Sequence, residues 1–464
     1  GQTLEKDDIR KFKNRSKVIH PGEISLLPTK TMIKNKLSGR EENEWPHLGK
    51  RTSDRKKPPK FTLPIDFRPI NPPTTGIKKL DAFTGRIELK VTDIPEVWSQ
   101  SKLQKWLNCP RQAFYDGHMF LGQSDKLEED IANTTRGNII HLIEEALLRH
   151  HGLVEDKIPV TPKPLHKGKL KDCDTAWEFA LIELERLAPW MKRRDGISAH
   201  RCRDLIGVEP EKWLKWVENK EKITIGGRIG RMIISDFGLV NAAPIASEWK
   251  LGLVGEKSVE IGLDSKKQKF SIKGLADRVD QVLLNPDLLD SSADKVIPLD
   301  FELKKPPPAK RFVVIRDIKS RDGSKDNNDD ERHKKAIFEE LQLALYARAW
   351  EVSNPGDRVI GVGATQVGLE TQAHIELDPE FIEHRATLKI GEISAFTHDQ
   401  YRLPDEKPGE IKSNPFRAWM RERITTALRV IDNAKRGIIN PQPSQICSYC
   451  NISDACPSKQ ESGW

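Results

Sequence analysis

Asp277, Asp317 and Lys319 are the residues whose types and spacing are best suited to chemistry. They lie in Gly274-Leu-Ala-Asp277-Arg-Val-Asp280 and, downstream, in Val313-Val-Ile-Arg-Asp317-Ile-Lys319-Ser320. Alternating apolar residues around Asp277, and the β-branched run Val313, Val314 and Ile315, predict two buried neighbouring strands. Residues two apart in a strand share a face, so Asp317 and Lys319 project together, and an adjacent strand would bring Asp277 to them. Two carboxylates beside a lysine bind a hard divalent cation, which can activate a water. An isolated Asp-x-Lys is common and equally describes a surface strand with an ion pair, so the surroundings decide.

A competing pair stands upstream. Val296-Ile-Pro-Leu-Asp300-Phe-Glu302-Leu-Lys304-Lys305 contains Glu-x-Lys, followed by Pro306-Pro-Pro308. The Asp317 strand is preferred because it is more continuously apolar and leads to a turn at Ser320 and Gly323. Arg136-Gly137-Asn-Ile-Ile-His141-Leu-Ile-Glu-Glu-Ala-Leu147 has helical periodicity, with Ile139, Ile143 and Leu147 on one stripe and His141 one turn after Gly137. A helical histidine is ordinarily packed or solvated; this one gains interest because a metal site in need of another ligand is already implied. Gln342 and Tyr346, four apart in the helix predicted over Phe338 to Trp350, share a face.

Cys447-x2-Cys450-x5-Cys456 supplies three thiolates within ten residues, one short of a four-ligand site, and spacing alone fits zinc and iron–sulfur equally. The remaining cysteines are Cys109, beside Pro110 at a helix junction, Cys173 and Cys202. Six cysteines so unevenly spaced do not make a small secreted disulfide framework.

These elements sit in a chain of 464 residues, 31% charged and 37% hydrophobic, with a net charge of +8. The length allows two to four domains or one large domain with insertions. No apolar run reaches the roughly 18 residues of a membrane span, and the first residues are polar, unlike a signal peptide. Residues 1–60 hold 16 Lys and Arg against 8 Asp and Glu, which accounts for the whole net charge. This basic, Pro-rich lead-in, to about residue 92, reads as poorly ordered or extended, and the chain as the C-terminal part of something longer. Order is expected from the N-cap region Ser99 to Ser101 onward. Residues 159–263, with helical patterns at Ala176 to Arg194 and Glu211 to Lys222 and then a Gly-broken strand region ending in Ser247-Glu-Trp249-Lys-Leu-Gly-Leu, read as an insertion packed beside the core, its tryptophans as core residues. Strands over Arg358 to Thr365 and Ala373 to Leu377, and a final helix over Phe416 to Lys435, make the class α/β. Gly361-x-Gly363 lacks the Gly-Lys-Ser/Thr of a phosphate loop.

With Cys109-Pro110, Gly137-x3-His141, Gly274-x2-Asp277-Arg278, Asp317-x-Lys319, Gln342-x3-Tyr346 and Cys447-x2-Cys450-x5-Cys456 in this order, the chain resembles the RecB-like PD-(D/E)XK nucleases that carry an iron–sulfur staple. That group includes the AddB nuclease domain, nucleases of CRISPR adaptation and eukaryotic exonuclease V, and the AddB-like pattern is the nearest. The resemblance spans about residues 96–460 and implies a restriction-endonuclease-like mixed sheet flanked by helices, with a helical insertion and a C-terminal staple. It implies Mg²⁺ or Mn²⁺ on His141, Asp277 and Asp317, with Lys319 orienting or activating the attacking water, and Gln342 and Tyr346 positioning DNA. It further implies a 4Fe–4S cluster on Cys109, Cys447, Cys450 and Cys456. The gap from Asp277 to Asp317 is longer than is usual in that group. The expected function is a metal-dependent DNA exonuclease on single strands or strand ends, in repair or end resection, cytoplasmic and DNA-associated. A helicase motor would lie upstream of Gly1 or on a partner. The alternative is a catalytically silent DNA-binding scaffold of the same fold.

Overall fold

The computed structural model describes residues 94–117, 133–165, 170, 172–192, 199–237, 242–251, 258–263, 268–283, 286–299, 308–320, 335–368, 371–385, 392–397, 414–442, 447, 450, 452 and 456. The basic lead-in, residues 321–334 and the competing Glu302 and Lys304 lie outside the described residues.

One long strand organises the sheet. β1 (Val97–Ser99), β2 (Ala242–Leu251) and β3 (Val259–Leu263) all pair with β4 (Gln268–Val282). The first half of β4 runs parallel to β1 and antiparallel to β3, whereas its second half is antiparallel to both β2 and β5 (Arg311–Lys319). β6 (Asp357–Val367) continues parallel to β5, β7 (Thr371–Leu377) antiparallel to β6, and β8 (Glu392–Ala395) parallel to β7. The result is the expected α/β class, a mixed eight-stranded sheet flanked by helices.

Helices cover both faces. In chain order they are α1 (Gln100–Asn108), α2 (Pro110–Gly117), α3 (Asn133–His151), α4 (Cys173–Leu187), α5 (Ala199–Ile206), α6 (Pro210–Asn219), α7 (Gly227–Phe237), α8 (Gln342–Ser353) and α9 (Pro415–Lys435). Ser99 caps α1 by accepting the Lys102 amide at 3.3 Å, and Asn414 caps α9 ahead of its first-turn proline by accepting the Arg417 amide at 3.1 Å. Strand alternation divides the core in two. Val279, Val313 and Ile315 pack with α1, α8 and α9, while Val282, Phe312, Val314 and Ile318 pack with α3 to α7. Trp177, Trp213 and Trp216 are buried in the second core, as core residues should be.

Two details differ from the sequence reading. The segment expected beside the core contributes β2 and β3 to the sheet itself, because both hydrogen-bond along β4. The helix expected from Phe338 begins at Gln342, after a π turn over Lys335–Glu339. Tertiary bonds hold that break: Gln104 accepts the Leu341 amide at 3.0 Å, and Arg423 donates to the Glu339 carbonyl at 2.8 Å. Among the described residues no helix is long and apolar enough to cross a membrane.

Candidate active site

β4 and β5 are direct antiparallel neighbours, with Arg278 opposite Arg316. The residue before Arg278 and the residue after Arg316 therefore face the other side of the sheet together, and these are Asp277 and Asp317. Asp277 Oδ2 accepts the Ile318 amide at 2.8 Å, so the first acid is anchored to the strand of the second. Burial, then the charge of Asp317 nearby, push the Asp277 carboxyl well above its ordinary range, and a hydrogen bond between the two carboxyls adds to the effect.

His141 reaches this point from α3, on the opposite layer. Gly137, one turn earlier, lies against the end of β5: a Cβ there would stand 4.0 Å from that of Ser320. His141 Nδ1 is 3.1 Å from Glu248 and 3.9 Å from Asp277. Burial opposes the charged imidazole, but the Glu248 hydrogen bond and the Asp277 and Glu144 charges outweigh it, holding the pKa at about 9. His141, Glu248 and Asp277 offer ligand atoms all within 4.8 Å of one another. A nitrogen and two carboxylate oxygens at that separation suit Mg²⁺ or Mn²⁺.

Glu248 was missing from the sequence reading, which had Asp317 as the third ligand. It comes from β2, where Ser247 pairs with Arg278 and Trp249 with Ala276, so that Glu248 falls beside Asp277. Its backbone is left-handed, with φ of 46°, a conformation that costs a non-glycine residue energy and clusters at functional sites. Asp317 adjoins the trio, its carboxyl hydrogen-bonded to that of Asp277. Its Oδ1 accepts Gln342 Nε2 at 2.7 Å and its Oδ2 pairs with Lys319 Nζ at 2.9 Å.

Lys319 also donates to Gln342 Oε1 at 3.1 Å, so one amide grips both the acid and the amine. Burial works against the ammonium, but Asp317 and Asp277 raise the Lys319 pKa and keep it charged. Tyr346, one turn along α8, is 6% exposed and hydrogen-bonded to the Leu275 backbone. A Cβ on Gly274 would come within 2.5 Å of its hydroxyl, which accounts for the glycine. Of the two residues expected to position DNA, Gln342 bridges the Asp317–Lys319 pair and Tyr346 packs on β4.

The opposite face of the same strands carries an ionic lattice. Arg278 bonds Asp236 at 2.7 Å, Asp280 at 3.0 Å and Glu144 at 3.2 Å. Arg316 bonds Asp236 and Thr365 at 2.8 Å each and Asp280 at 3.3 Å. All six are buried. Glu144 lies one turn beyond His141, so the lattice ties α3 and α7 to β4 and β5 directly behind the metal trio.

His141, Glu248 and Asp277 help line an open cleft of about 580 Å³ between α3 and the β2–β4 pair. Elsewhere in the fold, Cys109 is the C-cap of α1, and the Cys450 amide bonds the Cys447 carbonyl at 3.3 Å. Burial, followed by the neighbouring thiols of Cys109, Cys456 and Cys447, raises the Cys450 pKa. Cys109 thus comes near enough to the C-terminal cysteines to act on the Cys450 thiol.

Residues 306–457, from just before β5 through the cysteine run, match the model of the PD-(D/E)XK nuclease superfamily. The match covers about a third of the chain, and the mixed sheet with its strand-borne acids is consistent with that superfamily's fold. No curated protein matches the chain. Among solved structures, that of SSO0001 aligns with 68% of this chain and 95% of its own at 12% identity, with a TM-score of 0.21, too loose a superposition to carry an argument.

Proposed function

We propose that this chain is a Mg²⁺- or Mn²⁺-dependent DNA exonuclease acting on single strands or strand ends, in repair or end resection, with or without a helicase partner. The observation that carries the reading is the convergence of His141, Glu248 and Asp277 beside an Asp317–Lys319 pair fixed by Gln342. His141, Glu248 and Asp277 would hold the cation, with Asp317 adjacent. When bound, the cation supplies Lewis-acid polarisation of a phosphodiester and a water of lowered pKa.

The chain's own residues do the positioning. Lys319, kept charged by the acids beside it, offers an ammonium to the negative charge that develops on the phosphoryl oxygens. This favours electrostatic stabilisation and orientation of water over proton abstraction by the lysine. Gln342 keeps Asp317 and Lys319 in one geometry, and the Ile318 amide keeps Asp277 aimed at the trio. Cys109, Cys447, Cys450 and Cys456 would hold a 4Fe–4S cluster that staples the two ends of the nuclease segment. Closing a loop of more than three hundred residues removes considerable entropy from the unfolded chain.

Digestion of end-labelled linear and circular single-stranded DNA with Mg²⁺ or Mn²⁺ tests this. Shortened linear strands with intact circles are expected. Cut circles would make the enzyme an endonuclease, and no product from either substrate would remove the reading.

A further inference from the structure

The cleft that the metal trio helps line has a second polar centre at its mouth. One face of α3 lines it with His141, Leu142, Glu145 and Arg149, at the i, i+1, i+4 and i+8 positions, and β2 and β4 supply Glu248, Trp249, Lys250 and Leu275 opposite. From His141 to Arg149 the helix rises about 12 Å. Between those points the walls are apolar: Leu142 is 44% exposed and Leu275 37%, with Trp249 nearby. At the mouth, Glu155 lies between the two cations, with Oε2 3.2 Å from Arg149 Nη2 and Oε1 2.8 Å from Lys250 Nζ. Glu145 also pairs with Arg149, and Asp156 lies 3.8 Å from Lys250. The Glu155 carboxylate thus occupies the point where a guanidinium and an ammonium from two different elements converge.

We propose that Arg149 and Lys250 form a phosphate-binding subsite for a single nucleic-acid strand entering the metal site, and that Glu155 fills this subsite in the free protein as an internal stand-in for the phosphate. The inference rests on the nuclease reading and deepens it by giving the strand a path. A planar carboxylate and a phosphate offer the same pair of oxygens to a guanidinium, so one replaces the other without rearrangement of Arg149. The exchange is easy because the pairs are exposed: Arg149 is 47% exposed, Lys250 36% and Glu155 49%, so water and salt already weaken them. Glu155 and Asp156 can turn to solvent as the strand arrives. The apolar walls then receive a base or sugar, which stacks without regard to sequence. A cleft of about 580 Å³ has room for one or two nucleotide units of a single strand.

The test measures binding of a fluorescent single-stranded oligonucleotide and of a duplex by anisotropy, with Ca²⁺ in place of Mg²⁺, across a salt series, alongside cleavage rates with Mg²⁺. R149Q and K250Q are each expected to weaken single-strand binding on the order of three- to tenfold and to flatten its salt dependence by about 0.7 for each phosphate no longer neutralised. E155Q is expected to tighten binding and lower KM. Lys269→Gln, far along β4, serves as the charge control and should leave binding unchanged; thermal melts confirm folding. Unchanged binding in R149Q, K250Q and E155Q, or a preference for duplex, overturns the subsite. If the three variants shift binding as expected but the wild-type protein cuts nothing, the subsite stands and the nuclease reading falls. If the wild type cuts and the variants behave like it, the subsite alone falls.

Discussion

Asp277 is held by the backbone of Ile318, the residue between Asp317 and Lys319, at 2.8 Å. Asp277 and the Asp317–Lys319 pair are therefore one mechanical unit, and displacement of β5 moves all three together.

Asp277→Ala is expected to abolish Mg²⁺-dependent cleavage and to leave strand binding through phosphate contacts largely intact, because only the cation's carboxylate is removed. Glu248→Gln, which keeps the size of the side chain, should weaken Mn²⁺ binding by at least about tenfold. Mn²⁺ titration and gel assays of both variants check this, and normal cutting by Asp277→Ala would refute the site.

Asp317→Ala and Lys319→Ala should each remove cleavage, whereas Glu302→Ala and Lys304→Ala should leave most of it. Gln342→Ala belongs with the first group in kind, lowering kcat while strand affinity holds, since it frees both members of the pair. Single-turnover rates for the five variants separate the two candidate acid–lysine pairs.

Metal binding should release protons. His141 has its pKa raised from 6.5 to about 9, so the metal-free protein carries a proton there at neutral pH, and a coordinating nitrogen must lose it. The raised pKa stabilises the metal-free fold fully below about 6.5, and this contribution disappears as pH rises through 9. Mn²⁺ affinity should accordingly climb between pH 6.5 and 9. Calorimetry at pH 7.5 in two buffers of different ionisation enthalpy should show at least one proton released, and His141→Gln should show fewer.

Arg278→Met would leave Asp236, Asp280 and Glu144 short of a buried partner. A loss of about 3–5 kcal/mol is expected, the usual consequence of breaking a buried pair on one side. Denaturant melts measure it. A change below 1 kcal/mol would show that the lattice is not holding α3 and α7 to the sheet.

The proposed cluster predicts a brown wild-type protein, and Cys450→Ser should then bleach it and lower its melting temperature, because three thiolates would not complete the cluster. A colourless wild type with stoichiometric zinc would replace the iron–sulfur assignment.

Part of this site was legible because its signals are local. The β-branched run before Asp317 and the alternation around Asp277 mark two strands, and a short-range pattern suffices for His141 on its helix. Glu248 carried no such signal: its place beside Asp277 follows from the register of β2 on β4, which is shifted by an irregularity between Pro244 and Ala246 and by the left-handed backbone at Glu248 itself. The ionic lattice of Arg278, Arg316, Asp236 and Glu144 was not legible for a related reason. Charged residues read as surface until four separate elements bring their opposite charges together. The start of α8 was misplaced because Gln104 and Arg423, distant in sequence, fix the turn before it.

The two faces of β4 carry opposite chemistries in adjacent positions, Asp277 toward the cation and Arg278 toward the buried acids. A slip of β4 by one residue turns both to the opposite faces. The Arg278 guanidinium would then face the side of His141 and Glu248, and the Asp277 carboxylate the side already crowded with acids. A misregistered molecule is thus penalised on both sides of the sheet at once and is unable to bind the cation. Tight metal binding becomes a measure of correct strand registry, available to a purification step or to a folding experiment before any substrate is added.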